Sequence, residues 1–120
     1  MLKYITLVVL VLFMSCSKSE DDTGLLIHFS EVDLTVNKDK ALTRLTTERL
    51  NAQKERYKQL ATIYKTIHEA QQFGITFWGM RDTDSWLLDF YNNQSEWPLL
   101  FNSGYNYKLA LFGFLDGLTN

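Results

Sequence analysis

Two apolar runs flank a long amphipathic stretch, and that order constrains this chain more than any other feature of its 120 residues. Leu25 to Val36 (LLIHFSEVDLTV) is mostly apolar and breaks into polar residues toward its end, while Ile75-Thr76-Phe77-Trp78 forms the second, shorter run. Continuous apolar runs suit strands buried on both faces, as in parallel sheets. Between them, Leu50, Tyr57, Leu60, Ala61, Tyr64, Ile67 and His68 recur at three- and four-residue steps. That stripe predicts a helix from Thr46 or Thr47 to Gln72, capped by one of the threonines and ended by Gly74. Its other face carries Lys54, Glu55, Lys58 and Lys65 and reads as solvated. Strand, helix, strand implies a right-handed crossover between parallel strands, hence an α/β fold. A polar-aromatic loop follows from Met80 to about Asn106, and Leu109, Phe112, Leu115 and Leu118 predict a closing amphipathic helix over Tyr107 to Leu118. Two strands alone make a poor sheet.

The N-terminus reads as an address. Lys3 precedes an apolar run, Tyr4 to Met14, that is too short for a membrane-spanning helix of about 20 residues and fits a secretory signal. Leu12-Phe13-Met14-Ser15-Cys16 resembles a bacterial lipoprotein signal, in which cleavage leaves the cysteine N-terminal and lipidated. Residues 17–22 (SKSEDD) resemble the acidic export tag of surface-exposed lipoproteins of the Bacteroidetes. The expected organisation is a signal peptide over 1–15, a tether over 16–22 lipidated at Cys16, and a folded part over 23–120. Its expected location is the bacterial outer membrane, held through the lipid anchor and exposed at the surface. Since Cys16 is the only cysteine, no disulfide framework can form. Twelve basic against 14 acidic residues give no electrostatic footprint for nucleic acid.

In α/β barrels, functional residues lie at the C-terminal ends of strands and in the loops that follow. Glu31 and Asp33 stand at the end of the first strand, and strand alternation places them on one face with Ile27 and Phe29. Trp78, Arg81, Asp82, Asp84 and Trp86 stand at or just after the end of the second. A strand-end carboxylate facing tryptophans is the chemistry of a sugar site: pyranose rings stack on aromatic faces, while carboxylates hold hydroxyls and attack the anomeric carbon. The bland alternative is that the tryptophans are core and the acids solvate loops. His28 has the opposite parity from Glu31 and reads as a satisfied structural histidine.

These residues also carry a resemblance. Thr23 to Leu34 (TGLLIHFSEVDL) resembles the seventh strand of glycoside hydrolase family 10, the endo-1,4-β-xylanases, and Gly74 to Trp86 (GITFWGMRDTDSW) resembles the eighth strand and its loop. Gln53 to Tyr57, Pro98-Leu99-Leu100-Phe101 and Lys108-Leu109-Ala110 resemble later family motifs, with leucine replacing a proline at 109. The resemblance implies that residues 23–120 are the C-terminal strand-helix-strand-helix segment of a (β/α)8 TIM barrel. It implies Glu31 as the nucleophile of a retaining mechanism and Asp33 in the network that orients it. Trp78 and Trp86 are implied as walls of the xylan or xylo-oligosaccharide site, with Asp82 counted among the substrate-site residues as support for their loop. That mechanism needs no metal or cofactor, and no His/Cys cluster suggests one.

A full barrel needs about 250 residues. The family's acid/base lies in an Asn-Glu pair, and none occurs in this sequence. Glu48, Glu55 and Glu69 belong to the predicted helix and Glu96 to the final loop, so none inherits that role. The chain is therefore expected to be an incomplete barrel, a truncated xylanase with weak or absent activity by itself. Two other expectations stand beside it: a surface lipoprotein that binds xylan without cleaving it, and a segment complemented by a separate chain supplying the remaining barrel units.

Overall fold

The computed structural model describes residues 10–14 and 24–120. Cys16, the acidic tether and most of the expected signal peptide lie outside the described residues. Along the chain run β1 (Leu10–Met14), β2 (Leu25–Val32), α1 (Thr47–Lys65), β3 (Gln72–Phe77), the short α2 (Leu87–Phe90) and α3 (Leu109–Thr119). Single 3-10 turns cover Glu69–Gln71 and Asp82–Asp84. The sheet order is β1-β2-β3: β2 and β3 pair in parallel, as the crossover requires, and β1 adds an antiparallel third strand against β2. The described residues form an α/β segment and no closed barrel.

Helix α1 begins where expected. The Thr46 hydroxyl accepts from the Arg49 amide at 3.3 Å, capping one of the free amides, and Glu48 in the first turn suits the positive helix end. It ends at Lys65 rather than Gln72. The β-branched residues Thr62, Ile63, Thr66 and Ile67 are poor helix formers, and the Thr66 hydroxyl donates to the Ile63 carbonyl at 2.6 Å, supporting the last turn from its side chain. Ile67 and His68, read as part of the stripe, lie in the connecting turn instead. There the His68 ring accepts the Ala70 amide and starts the 3-10 turn. Gly74 is no helix stop: it lies inside β3, opposite His28.

The core joins Val32, Tyr57, Leu60, Leu100 and Ala110, with Phe29, Ile75, Phe77, Phe101 and Phe114 packed around it. Phe29 meets Tyr64 edge-on at 5.3 Å and Phe77 meets Phe114 at 5.0 Å, so the helices cover one face of the sheet. On the other parity, His28 hydrogen-bonds Thr76 across the strands at 2.8 Å, as a satisfied structural histidine should.

The closing helix packs on a different face from the one expected. Phe112 and Leu115 are 47% and 45% exposed, while Ala110, Gly113 and Gly117 are buried. A Cβ at Gly113 would fall on the Lys54 carbonyl, and one at Gly117 on the Lys58 carbonyl. The backbones of α1 and α3 therefore touch along this seam. It also half-buries Lys54 and Lys58, which the sequence pattern assigned to a solvated face.

Candidate functional site

The end of β2 is irregular at the residue where the chemistry was expected. Phe29 pairs with Ile75 and Val32 with Phe77, so Ser30 and Glu31 together oppose Thr76 alone. This is a β-bulge, and Glu31 is its left-handed residue, with φ 56°. The bulge breaks the alternation. Val32 takes the place in the core and Glu31 turns outward, exposed, so Glu31 does not share the face of Phe29 as strand parity predicts.

The end of β3 lies beside it. The Trp78 amide donates to the Val32 carbonyl at 3.4 Å, and the Trp78 side chain is 49% exposed. Gly79 follows at φ 132°, with Leu99 so near that a Cβ would stand 2.9 Å from its methyl group, so only glycine fits this exit from the strand. The loop then returns through Ser85, whose hydroxyl donates to Asp33 Oδ2 at 3.0 Å. Trp86, 46% exposed, follows Ser85 directly. Burial pushes the Asp33 carboxyl above its ordinary range; the bond from Ser85 opposes that rise, and the nearby charges of Glu31 and Glu96 add to it. Glu31, Asp33, Trp78 and Trp86 thus gather at the C-terminal end of the two parallel strands.

Asp82 is not among the groups open to a ligand. It is 3% exposed, and its Oδ1 accepts from Lys108 Nζ at 2.8 Å and from the Leu99 amide at 2.9 Å. Lys108 also donates to the carbonyls of Trp97 and Leu99, each at 2.8 Å. Asp82 therefore acts as support for the Trp78–Trp86 loop rather than as a group that touches a ligand: it clamps that loop to the strand-like segment Pro98–Phe101. Burial raises the Asp82 carboxyl and lowers the Lys108 ammonium, so desolvation outweighs their mutual attraction in both groups. Trp97 contributes its backbone to this clamp, accepting also from Gln53 at 2.6 Å.

A second clamp was not foreseen. Glu96 is 1% exposed and accepts from the amides of Val36, Asn37 and Trp97 at 2.5–3.1 Å. Asn37, fully buried, donates to the carbonyls of Leu42 and Ser95, and Asn93 donates to the Asn37 carbonyl. Arg49 and Arg56, from α1, donate to the carbonyls of Val36 and Thr35. Polar residues in a loop look solvated in sequence; no periodicity marks them as buried. Both Glu96 oxygens are occupied by amides.

A family model, glycosyl hydrolase family 10, matches residues 16–117. The chain belongs to glycosyl hydrolase family 10. It is 38% identical over 110 residues to endo-beta-1,4-xylanase Xyn10C of Cellvibrio japonicus, covering 81% of this chain and 18% of that protein. An endo-1,4-beta-xylanase of Geobacillus stearothermophilus is 33% identical over 94 residues, covering 74% of this chain and 28% of the relative. Among solved structures, a variant of the Cellvibrio japonicus xylanase 10C in complex with xylopentaose superposes with a TM-score of 0.72 at 35% identity. It covers 79% of this chain and 21% of that one. The chain therefore spans between 18% and 28% of the length of these family 10 relatives, and its α/β segment corresponds to that share of their fold.

Proposed function

We propose that this chain carries the nucleophile side of a retaining endo-1,4-β-xylanase site, acting on xylan or xylo-oligosaccharides. The observation that carries the reading is Glu31: an exposed carboxylate in a left-handed bulge at a parallel strand end, beside two half-exposed tryptophans. Strained, exposed residues at strand ends are where catalytic side chains concentrate. In this reading the Glu31 carboxylate attacks the anomeric carbon, the C–O bond to the leaving group breaks, and a glycosyl ester forms. Trp78 and Trp86 stack on xylose rings. A separate general acid has to protonate a sugar leaving group, and Glu96, its oxygens held by amides, cannot supply it.

The test removes the need for that acid. A 2-fluoro-xylobioside with a dinitrophenolate leaving group departs without protonation, so the nucleophile alone suffices. Intact mass should show one covalent adduct, mapped by peptide digestion to Glu31 and absent in Glu31→Gln. No adduct on the folded chain would overturn the nucleophile assignment.

A second reading, xylan binding without cleavage, is favoured by the exposure of both tryptophans together with the occupied state of Glu96. Retention on insoluble xylan that is lost in Trp78→Ala and Trp86→Ala, without adduct formation, selects it. In either reading Cys16 anchors the site to an outer membrane, supported by the apolar run and the Ser15-Cys16 junction.

A further inference from the structure

Helix α2 is a single turn with two unlike faces. Leu87 and Leu88 are buried, while Trp86, its capping residue, and Phe90, its last residue, are 46% and 64% exposed. Those two stand four residues apart, and the Phe90 amide donates to the Trp86 carbonyl at 3.0 Å, so their side chains rise on one side of the turn. The rings touch, with centroids 4.9 Å apart and planes tilted by 59°. Tyr91 also meets Phe90, edge to face at 4.9 Å, and the Lys38 ammonium lies 5.5 Å over the Tyr91 ring from the loop after β2. The backbone is pinned at both ends of the turn. The Ser85 hydroxyl accepts the Leu87 amide at 3.3 Å, and the buried Asn93 donates to the Asn37 carbonyl at 2.9 Å. A phenylalanine as exposed as Phe90 adds little to the fold by burial, yet two ring neighbours and a pinned backbone hold it in place.

We propose that Phe90 extends the sugar platform of Trp86 by one xylose ring, forming a distal subsite that only chains long enough to pass Trp86 can reach. This rests on the reading of Trp86 as a xylose-stacking residue. The patch is narrow: Trp86, Phe90 and Tyr91 touch in that order, flanked by the exposed polar residues Lys38, Asp89 and Asn92. A stable protein partner needs about 800 Å² on each side with an apolar centre, more than one file of rings offers. A polysaccharide chain has a narrow apolar C–H face edged by hydroxyls, which suits an aromatic strip with polar flanks. Neighbouring xylose rings of a β-1,4 chain are turned relative to one another, so platforms for two successive rings are tilted, as Trp86 and Phe90 are. Since Phe90 is held before a ligand arrives, little side-chain freedom is lost on binding.

The test is titration calorimetry of the full chain with xylobiose and with xylohexaose. The readout is the gain in affinity from the shorter to the longer sugar. In Phe90→Ala that gain should shrink about fivefold, the worth of one aromatic contact. Phe90→Tyr, which keeps a ring face, should restore it. Phe90→Leu keeps an apolar side chain without the face and should behave like Phe90→Ala, so the result stands even where the alanine variant folds poorly. A gain that is equal in the wild type, Phe90→Ala and Phe90→Leu overturns the distal subsite while leaving the proposed function intact. Self-association of the wild type in sedimentation, lost in Phe90→Leu, would make the ring a contact between copies and also overturns it. A folded wild-type chain that binds neither sugar removes the proposed function, and the subsite with it.

Discussion

Glu31 pays for its exposure in backbone strain. Its left-handed conformation costs a residue bearing a Cβ on the order of 1 kcal/mol, and glycine nothing. In a regular strand glycine is the worse replacement, because it loses more freedom on folding. At position 31 the order should invert: Glu31→Gly should be more stable than Glu31→Ala by about 1 kcal/mol in urea unfolding. Equal or reversed stabilities would mean that the bulge is not held in solution. The sequence marks Glu31 as an acid at a strand end, through the polar break within an apolar run. It does not mark the bulge. Alternation predicts Glu31 beside Phe29, and only the pairing with β3 reveals that Val32 has taken the inward place.

The two long helices differ in how readable they are. The start and inner face of α1 follow from Thr46 and from Tyr57, Leu60, Ala61 and Tyr64, since large apolar groups at helical spacing have one way to be buried. The apolar spacing runs past its end at Lys65, because Ile67 and His68 keep the spacing after the helix has stopped. For α3 the pattern misleads outright. Phe112 and Leu115 suggest the buried face, yet the helix packs through Gly113 and Gly117, where the gain lies in close backbone approach rather than in side-chain area. On an exposed helix Gly→Ala stabilises by about 1 kcal/mol. Gly113→Ala should instead destabilise by about 2 kcal/mol, because the new methyl group must push α3 off the Lys54 carbonyl. Chemical denaturation checks the sign, and a stabilised Gly113→Ala would show that the seam opens freely.

At the scale of the molecule, one helical layer covers one face of a small mixed sheet, and the loops that bear Asp33 and Trp86 follow the ends of β2 and β3. The order strand, helix, strand, loop, helix was legible from apolar runs, and so was the cluster of Glu31, Asp33, Trp78 and Trp86. What joins the loops was not: Asp82, Glu96, Asn37 and Asn93 are polar, non-periodic, and buried only because distant segments meet over them. Glu96 receives amides from two stretches at least sixty residues apart, Val36 and Asn37 on one side and Trp97 on the other. None of these three N–H groups can meet solvent deuterium while the shared carboxylate stays in place. One opening event therefore governs all three, and their hydrogen–deuterium exchange should proceed with a common opening free energy. Glu96→Gln, which trades an acceptor oxygen for an amide donor, should accelerate all three by about tenfold. Independent rates for Val36 and Trp97 would separate the loops. A common rate makes the two loops that meet at Glu96 a single cooperative unit that water enters in one step.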